Sequence, residues 1–272
     1  MTGPQVFTRK VMNKSGKVLL FPMVDNMSEL YEASSIDIHG ESITQEFPLG
    51  TKLIEGERVW RYTQNGGVAL RAGDLLQAAA VAHAEQDDDI VCGEAAAAGA
   101  YTVEVTSTAN LDTAPNNAAD TFAEGYLYVN DEAGEGYAYK IKSNEALSGT
   151  DNATFTLYEP LKVALTVASQ LGLIMSPYKK VIASVAVMTG IPVGVATLAV
   201  TADYFFWMQT GGPAAVQAHA AIARGCWCVG GTHAAAVDPN IDNTATLQHV
   251  GFALTPGVTD TETMLVFLTL DR

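Results

Sequence analysis

Short segments in which apolar and polar residues alternate run through most of the chain, separated by turn-forming residues. Residues 101–108, 126–130, 137–142 and 154–158 alternate with period two, and a further apolar segment follows at 163–167. Such alternation, broken by turn signals like the Asp131, Gly134 and Gly136 stretch, predicts half-buried strands of a sandwich or barrel. Residues 178–188, 195–201, 204–209, 221–229, 250–254 and 264–270 continue in the same style. Gly211, Gly212 and Pro213, and later Asp238, Pro239 and Asn240, read as punctuation between strands. Upstream, 51–80 reads as strand, turn, strand, with a strand over 51–64, the turn at Asn65, Gly66 and Gly67, residues that tolerate positive φ, and a second strand after it. An alanine-rich stretch predicts a short helix over 75–85, stopped by Asp87, Asp88 and Asp89. Residues 109–120 show no period and predict a surface loop. The expected fold class is mainly β, as β-sandwich or barrel-like domains with an extended N-terminal arm. The expected organisation is an arm over 1–48, a β-rich domain over 49–170, and a β-rich region over 171–272 that packs on or continues it.

Composition sharpens this picture. The 272 residues hold 30 acidic and 15 basic side chains, a formal charge of −15, and only 17% of residues are charged. That composition excludes collagen, coiled coil and wholesale disorder, and argues against direct nucleic-acid binding, which needs a basic surface. Basic charge gathers instead near the N-terminus, at Arg9, Lys10, Lys14 and Lys17, just before the apolar Val18, Leu19, Leu20 and Phe21. These eight residues are the candidate contacts by which an arm would lie on an acidic or polar partner. Residues 36–47 alternate partially and could extend a partner's sheet edge. The apolar run 18–24 contains Pro22 and is followed by Asp25, which does not fit a secretory signal. Residues 181–202 carry no charge, but Gly190, Pro192 and Gly194 interrupt them, so two buried strands explain the run better than a membrane span.

Candidate chemistry is sparse. The sequence has no phosphate-binding loop, dinucleotide fingerprint, nucleophile elbow or zincin motif. Cys226 and Cys228, flanked by His219 and His233, lack the spacing of a structural zinc site and read as strand positions. Three cysteines in all, Cys92 being the third, do not make a disulfide framework and suit a reducing compartment during folding. The carboxylates of Asp87, Asp88 and Asp89 read as a solvated loop, and those of Asp131, Glu132 and Glu135 as a turn. No catalytic, cofactor or metal residue is assigned, and the expectation is a protein that is not an enzyme. Tyr204, Phe205, Phe206 and Trp207 read as core aromatics.

Two stretches carry a family likeness. The first runs Tyr204, Phe205, Phe206, Trp207, Met208, Gln209, Thr210, Gly211, Gly212, Pro213, Ala214, Ala215, Val216. The second is the closing Val266, Phe267, Leu268, Thr269, Leu270, Asp271, Arg272, preceded by Val250, Gly251, Phe252, Ala253 and Leu254. Together they resemble capsid decoration, or cement, proteins of tailed bacteriophages, often encoded beside the major capsid protein. The resemblance implies a non-enzymatic β-rich structural protein on the outer capsid surface of a virion, made in the host cytoplasm. It implies binding between major capsid protein subunits, self-association as a homotrimer, no cofactor and no membrane. A head-fibre, tail or receptor-binding β-domain, binding host glycans through Trp207 or Tyr126, is the alternative virion role.

Overall fold

A computed structural model of the chain describes residues 10–12, 17–21, 36–80, 90–108, 111–112, 117–230, 233–239, 248–257 and 262–271. Every regular element among them is a strand, and the strands form two sheets. The chain divides into two compact units. The described residues of the first lie within 81–176; those of the second lie within 8–22, 28–80 and 177–272. The smaller unit is therefore an insertion in the larger, and the cut falls at 176/177, close to the end of the predicted 49–170 domain. The other expected boundary, at 48, is not a boundary between units.

The larger unit begins with β1 (Lys10–Met12), β2 (Val18–Leu20), β3 (Glu41–Ser42), β4 (Lys52–Glu55), β5 (Arg58–Gln64) and β6 (Leu75–Gln77). Strands β4 and β5 form a tight hairpin in which Glu55 faces Arg58. Gly56 takes the positive φ that the two-residue turn needs. This turn splits the long strand expected over 51–64. Leu53 and Trp60 face each other on its inner side and are fully buried. Strand β2 pairs with β4 on the other side, setting Leu19 opposite Leu53 in the core. The helix expected from Leu75 is not formed over 75–80. Leu75, Leu76 and Gln77 are all buried in β6, and a strand between two neighbours covers them better than a helix with an exposed face.

The inserted unit carries β7 (Ile90–Val91), β8 (Thr102–Thr106), β9 (Tyr126–Asp131), β10 (Ala138–Asn144), β11 (Asn152–Leu157) and β12 (Gln170–Ile174). The sheet runs β7-β12-β9-β10-β11-β8. Its two edges meet, because Cys92, just past β7, bridges to Val105 of β8 and the Gly93 amide donates to the Glu104 carbonyl at 2.7 Å. The sheet is thus nearly a barrel, and closure removes exposed edges. The alternating residues predicted to face inward do so: Val103, Val105, Leu127, Val129, Phe155 and Leu157 fill its core with Tyr139 and Ile141. The strand expected at 163–167 forms only an isolated bridge at Leu165, and the regular strand comes later, as β12.

The larger unit resumes with β13 (Ile182–Ala183), β14 (Pro192–Val195), β15 (Phe205–Gln217), β16 (Trp227–Gly230), β17 (Asp238–Pro239), β18 (Gln248–Ala253) and β19 (Thr263–Thr269). The main path of its sheet is β1-β2-β4-β5-β15-β19-β18-β16-β17, with β3, β6, β13 and β14 attached beside it. Residues 192–194, read as part of a turn, are strand together with Val195, whereas 196–201, expected to continue the strand from Val195, form only an isolated bridge at Val200. Among the described residues no helix is long and apolar enough to cross a membrane, and 181–202 supply strands.

The largest departure from expectation is β15. Gly211, Gly212 and Pro213 do not end it; the strand runs 13 residues through them. Its first half pairs with β5 and its second with β19, and the register with β5 slips between Gln209 and Gly211. Gly212 has φ +78°, and a Cβ there would lie 2.3 Å from the Glu57 carbonyl oxygen. The buried Gln209 side chain donates to the carbonyls of Gly211 and Pro213, at 3.0 and 2.8 Å, and satisfies acceptors that the slip takes out of the ladder. We expect Gly212→Ala to lower unfolding free energy by about 2–4 kcal/mol, from overpacking plus the left-handed backbone. Gly67→Ala, where added bulk meets nothing within 4 Å, is expected to stay near wild type; denaturant unfolding of both variants checks the contrast.

Candidate functional site

The outer face of β16, β18, β19 and the second half of β15 is the most distinctive surface of the larger unit. Register places Trp227 beside Phe252, Phe252 beside Phe267, and Phe267 beside Pro213, a row across four strands. One step along, Leu265 lies beside Ala215, and the Leu254 amide donates to the Leu265 carbonyl. A register shift between β16 and β18 accompanies His249 on this same face, edge-on to the Trp227 ring at 4.5 Å. Trp227 is 47% exposed, and Phe267 and Leu265 are each 38% exposed.

The reason lies in β19. From Met264 to Leu268 the strand is apolar at every position, the composition of a strand covered on both sides. Met264, Val266 and Leu268 are buried in the core, but Leu265 and Phe267 face outward. Together with Trp227 and Leu254 they leave on the order of 300 Å² of apolar side chain in water, the scale at which a patch marks a contact surface.

The residues expected to make contacts from an arm are placed otherwise. Leu19 and Phe21 are buried in the chain's own core, and Phe21 stacks on Phe47. Val18 and Leu20 are half-buried in β2, hydrogen-bonded to β4. Lys17 donates to the Ile36 carbonyl at 3.3 Å and sits 3.9 Å from Glu55. These apolar residues are an inner strand of the sheet and not a free arm, because pairing with β4 buries more of them than solvent would allow. Arg9 and Lys14 lie outside the described residues, as does the side chain of Lys10. Residues 36–47 likewise serve this chain: Glu41 and Ser42 pair with Phe206 and Phe205.

The aromatic cluster is core, as expected. Trp207 is 3% exposed and meets Tyr62 and Phe47 with ring centroids 5.2 and 5.3 Å apart, so it is not a surface platform. A cavity of about 330 Å³ opens beside it, edged by Asp37, Glu41 and Glu46. Its polar groups are engaged structurally. Asp37 accepts from the His39 amide, Glu41 accepts from the amide and hydroxyl of Thr201, and the Glu46 amide donates to the Tyr62 hydroxyl. Burial pushes the Tyr62 phenol up to about 12, so it stays protonated near neutrality.

The sulfur atoms do not form a site. Cys226 lies exposed in a turn just before β16 and Cys228 is buried in β16, so only the second takes the strand position expected of both. Burial, reinforced by the neighbouring Cys226, pushes the Cys228 thiol up to about 12 and keeps it from being a thiolate. The carboxylates Asp131, Glu132 and Glu135 form an exposed turn, with Glu132 at φ +64°. Asp87, Asp88 and Asp89 lie outside the described residues.

The closing Leu270-Asp271 of the second quoted stretch has an electrostatic role. Asp271 accepts from Arg61 at 2.5 Å and from Lys52 at 2.9 Å, while Arg61 also donates to the Gly50 carbonyl. Burial alone would raise the Asp271 pKa, but the two hydrogen bonds and the two positive charges outweigh it and hold the carboxyl below its ordinary value. Compared with known proteins, the chain matches no family model, no curated protein and no solved structure.

A carboxyl whose folded pKa is depressed contributes stability above its unfolded pKa, near 4, and that contribution disappears as pH falls through the lower folded value. Asp271→Asn is therefore expected to cost about 1–3 kcal/mol at pH 7, as hydrogen bonds to charged groups do. The gap from wild type should narrow as pH falls below about 4. Denaturant midpoints measured between pH 7 and pH 2.5 test both statements.

Proposed function

We propose that this chain is a structural protein of a tailed-phage virion that binds the outside of the capsid between major capsid protein subunits and stabilises the shell. The observation that carries the reading is the uncovered Trp227-Phe252-Phe267 face, on strands whose composition suits cover on both sides. The virion setting comes from the resemblance of residues 204–216 and of the closing residues to decoration proteins. An acidic chain overall suits a protein that must stay soluble before it docks.

The mechanism is contact area. Covering apolar surface contributes roughly 25 cal/mol per Å², so one copy of the face holds weakly. Repetition over a shell, and self-association as a homotrimer, turn weak contacts into lasting attachment. This places the apolar contact on the outer sheet face in place of residues 18–21, which the chain uses for its own core. A truncation of residues 1–48 would remove β2, β3 and the buried Phe21 and Phe47, so it tests folding and not docking.

The direct test replaces Trp227 and Phe267 together by serine and measures occupancy on purified heads that lack this chain, by co-sedimentation and electron microscopy. We expect the wild type to saturate the heads. The double variant should keep the wild-type melting temperature and lose at least tenfold in occupancy. Decoration at wild-type level by the variant would remove the face from the mechanism. Failure of the wild type to bind heads, with binding to host envelope instead, would point to the head-fibre or receptor-binding role.

A further inference from the structure

His219 and His233, fourteen residues apart in sequence, converge on Asp238. We infer that these three side chains form a binding site for a borderline divalent transition ion of the zinc, cobalt and nickel class. The inference is independent of the virion reading. It rests on how firmly the backbone presents the three groups and on their mutual distances.

Each ligand is carried by a fixed segment. Beyond β15, Ala218 bridges to Val237 in parallel, the His219 amide donates to the Val237 carbonyl at 3.1 Å, and the Val237 amide donates to the Gln217 carbonyl at 2.9 Å. His233 opens the turn into β17, and that turn is tied down at Ala235, whose amide donates to the Ser184 carbonyl and whose carbonyl accepts from the Leu75 amide. Asp238 belongs to β17 and faces Val229 of β16. Strand β17 ends the main path of the sheet.

The side chains then meet at one point. His219 Nδ1 lies 3.1 Å from Asp238 Oδ1, and His233 Nδ1 lies 3.2 and 3.0 Å from Oδ1 and Oδ2. The two imidazoles lie face to face, 11° from parallel with ring centroids 3.0 Å apart; each Nδ1 reaches the carboxylate, and one ring must turn about its Cβ–Cγ bond to bring both in-plane lone pairs onto a single ion. An ion with bonds of about 2.0–2.2 Å holds neighbouring ligand atoms roughly 2.8–3.1 Å apart when octahedral and roughly 3.3–3.6 Å apart when tetrahedral. The observed 3.0–3.2 Å lies at the octahedral spacing and a few tenths of an ångström short of the tetrahedral one. The same contacts also serve as hydrogen bonds when no ion is present, which gives the ligands a reason to be assembled beforehand.

The donor set selects the ion. Two imidazole nitrogens and one carboxylate suit zinc, cobalt, nickel or copper and disfavour calcium and magnesium, which take oxygen donors. Asp238 is buried, whereas both histidines are partly exposed, so the remaining coordination positions open toward solvent. Bound there, the ion would fasten the edge strand β17 and its preceding turn to the end of β15, and so stabilise the folded state by linkage. The signal was hidden in sequence because the third ligand stands in Asp238-Pro239, which reads as a turn, and because the nearby cysteines drew the eye to the wrong partners.

The test uses the full chain, stripped with chelator and titrated with zinc by calorimetry and with cobalt by visible absorption. We expect one equivalent bound, a cobalt ligand-field band, and a rise of several degrees in melting temperature with zinc, reversed by chelator. His219→Ala and His233→Gln, both at partly exposed positions, should each weaken zinc binding at least tenfold and abolish the rise. His39→Ala, at an exposed histidine elsewhere, should do neither. Absence of stoichiometric binding, or unchanged zinc affinity in the two variants, would overturn the site and leave the trio a hydrogen-bonded clip.

Discussion

The larger unit depends on one strand changing partners partway along its length. Strand β15 lies between β5, which pairs with its first half, and β19, which pairs with its second, and Gly211 pairs with both. The slip at Gln209 to Gly211 bends the strand locally where its pairing with β5 ends. Bending orphans carbonyl oxygens inside a dry sheet, which is affordable only if another donor reaches them, and the Gln209 amide is that donor. Glycine at 212 follows from the same requirement, since the Glu57 carbonyl occupies the space a side chain would need. Residues 204–216 thus include the parts of this device: Trp207 in the core, Gln209 as cap, Gly211 and Gly212 at the bend. Asp271, just past β19, fixes the far end by drawing Lys52 and Arg61 from β4 and β5.

Where burial is one-sided, the amino-acid pattern reads directly. Strands β8, β9 and β11 alternate because the barrel has one wet face and one dry face, and each inward residue was identifiable from period two alone. Where burial is two-sided, the period disappears. Leu75, Leu76 and Gln77 form a three-residue strand buried on every side, and an alanine-rich neighbourhood made a helix look preferable. The buried Gln77 is the clue that propensity misses. Its amide donates to the Thr189 hydroxyl and its carbonyl accepts from the Val185 amide, so it is a register pin that only the tertiary pairing explains. Glycine and proline at 211–213 misled for a related reason: they mark bends as well as ends, and the choice depends on whether partner strands continue past them.

The segment over 18–21 and strand β19 show the same ambiguity. Basic residues followed by Val18, Leu19, Leu20 and Phe21 look like an arm when the chain is read alone. The hydrogen-bonding needs of β4's free edge decide otherwise, and the segment becomes an inner strand. The five apolar residues of β19, by contrast, look like an ordinary buried strand. Only the sheet reveals that, among the described residues, one of their two faces is left partly exposed. The informative quantity is the mismatch between the cover a strand's composition calls for and the cover its own chain provides.

That mismatch is local, and the architecture keeps it so. Strands β6 and β13 pair antiparallel, with Gln77 opposite Ile182, so the chain leaves the larger sheet and returns to it at adjacent positions. An insertion made between paired strands need not alter the register of the sheet that hosts it, and the barrel closes its own core from its own strands. The outer face of β16, β18 and β19 and the His219-His233-Asp238 trio are both built on the far side of β15 in sequence, from a separate apolar cluster that includes Val216, Val250 and Val266. The edge strand β17 is the weakest member there, two residues long and paired to β16 over those two residues. A sheet that offers a flat aromatic face for docking gains from a rigid edge, because ordering on contact subtracts from affinity. The convergence of two histidines and a buried aspartate on that short strand is where such rigidity would be supplied.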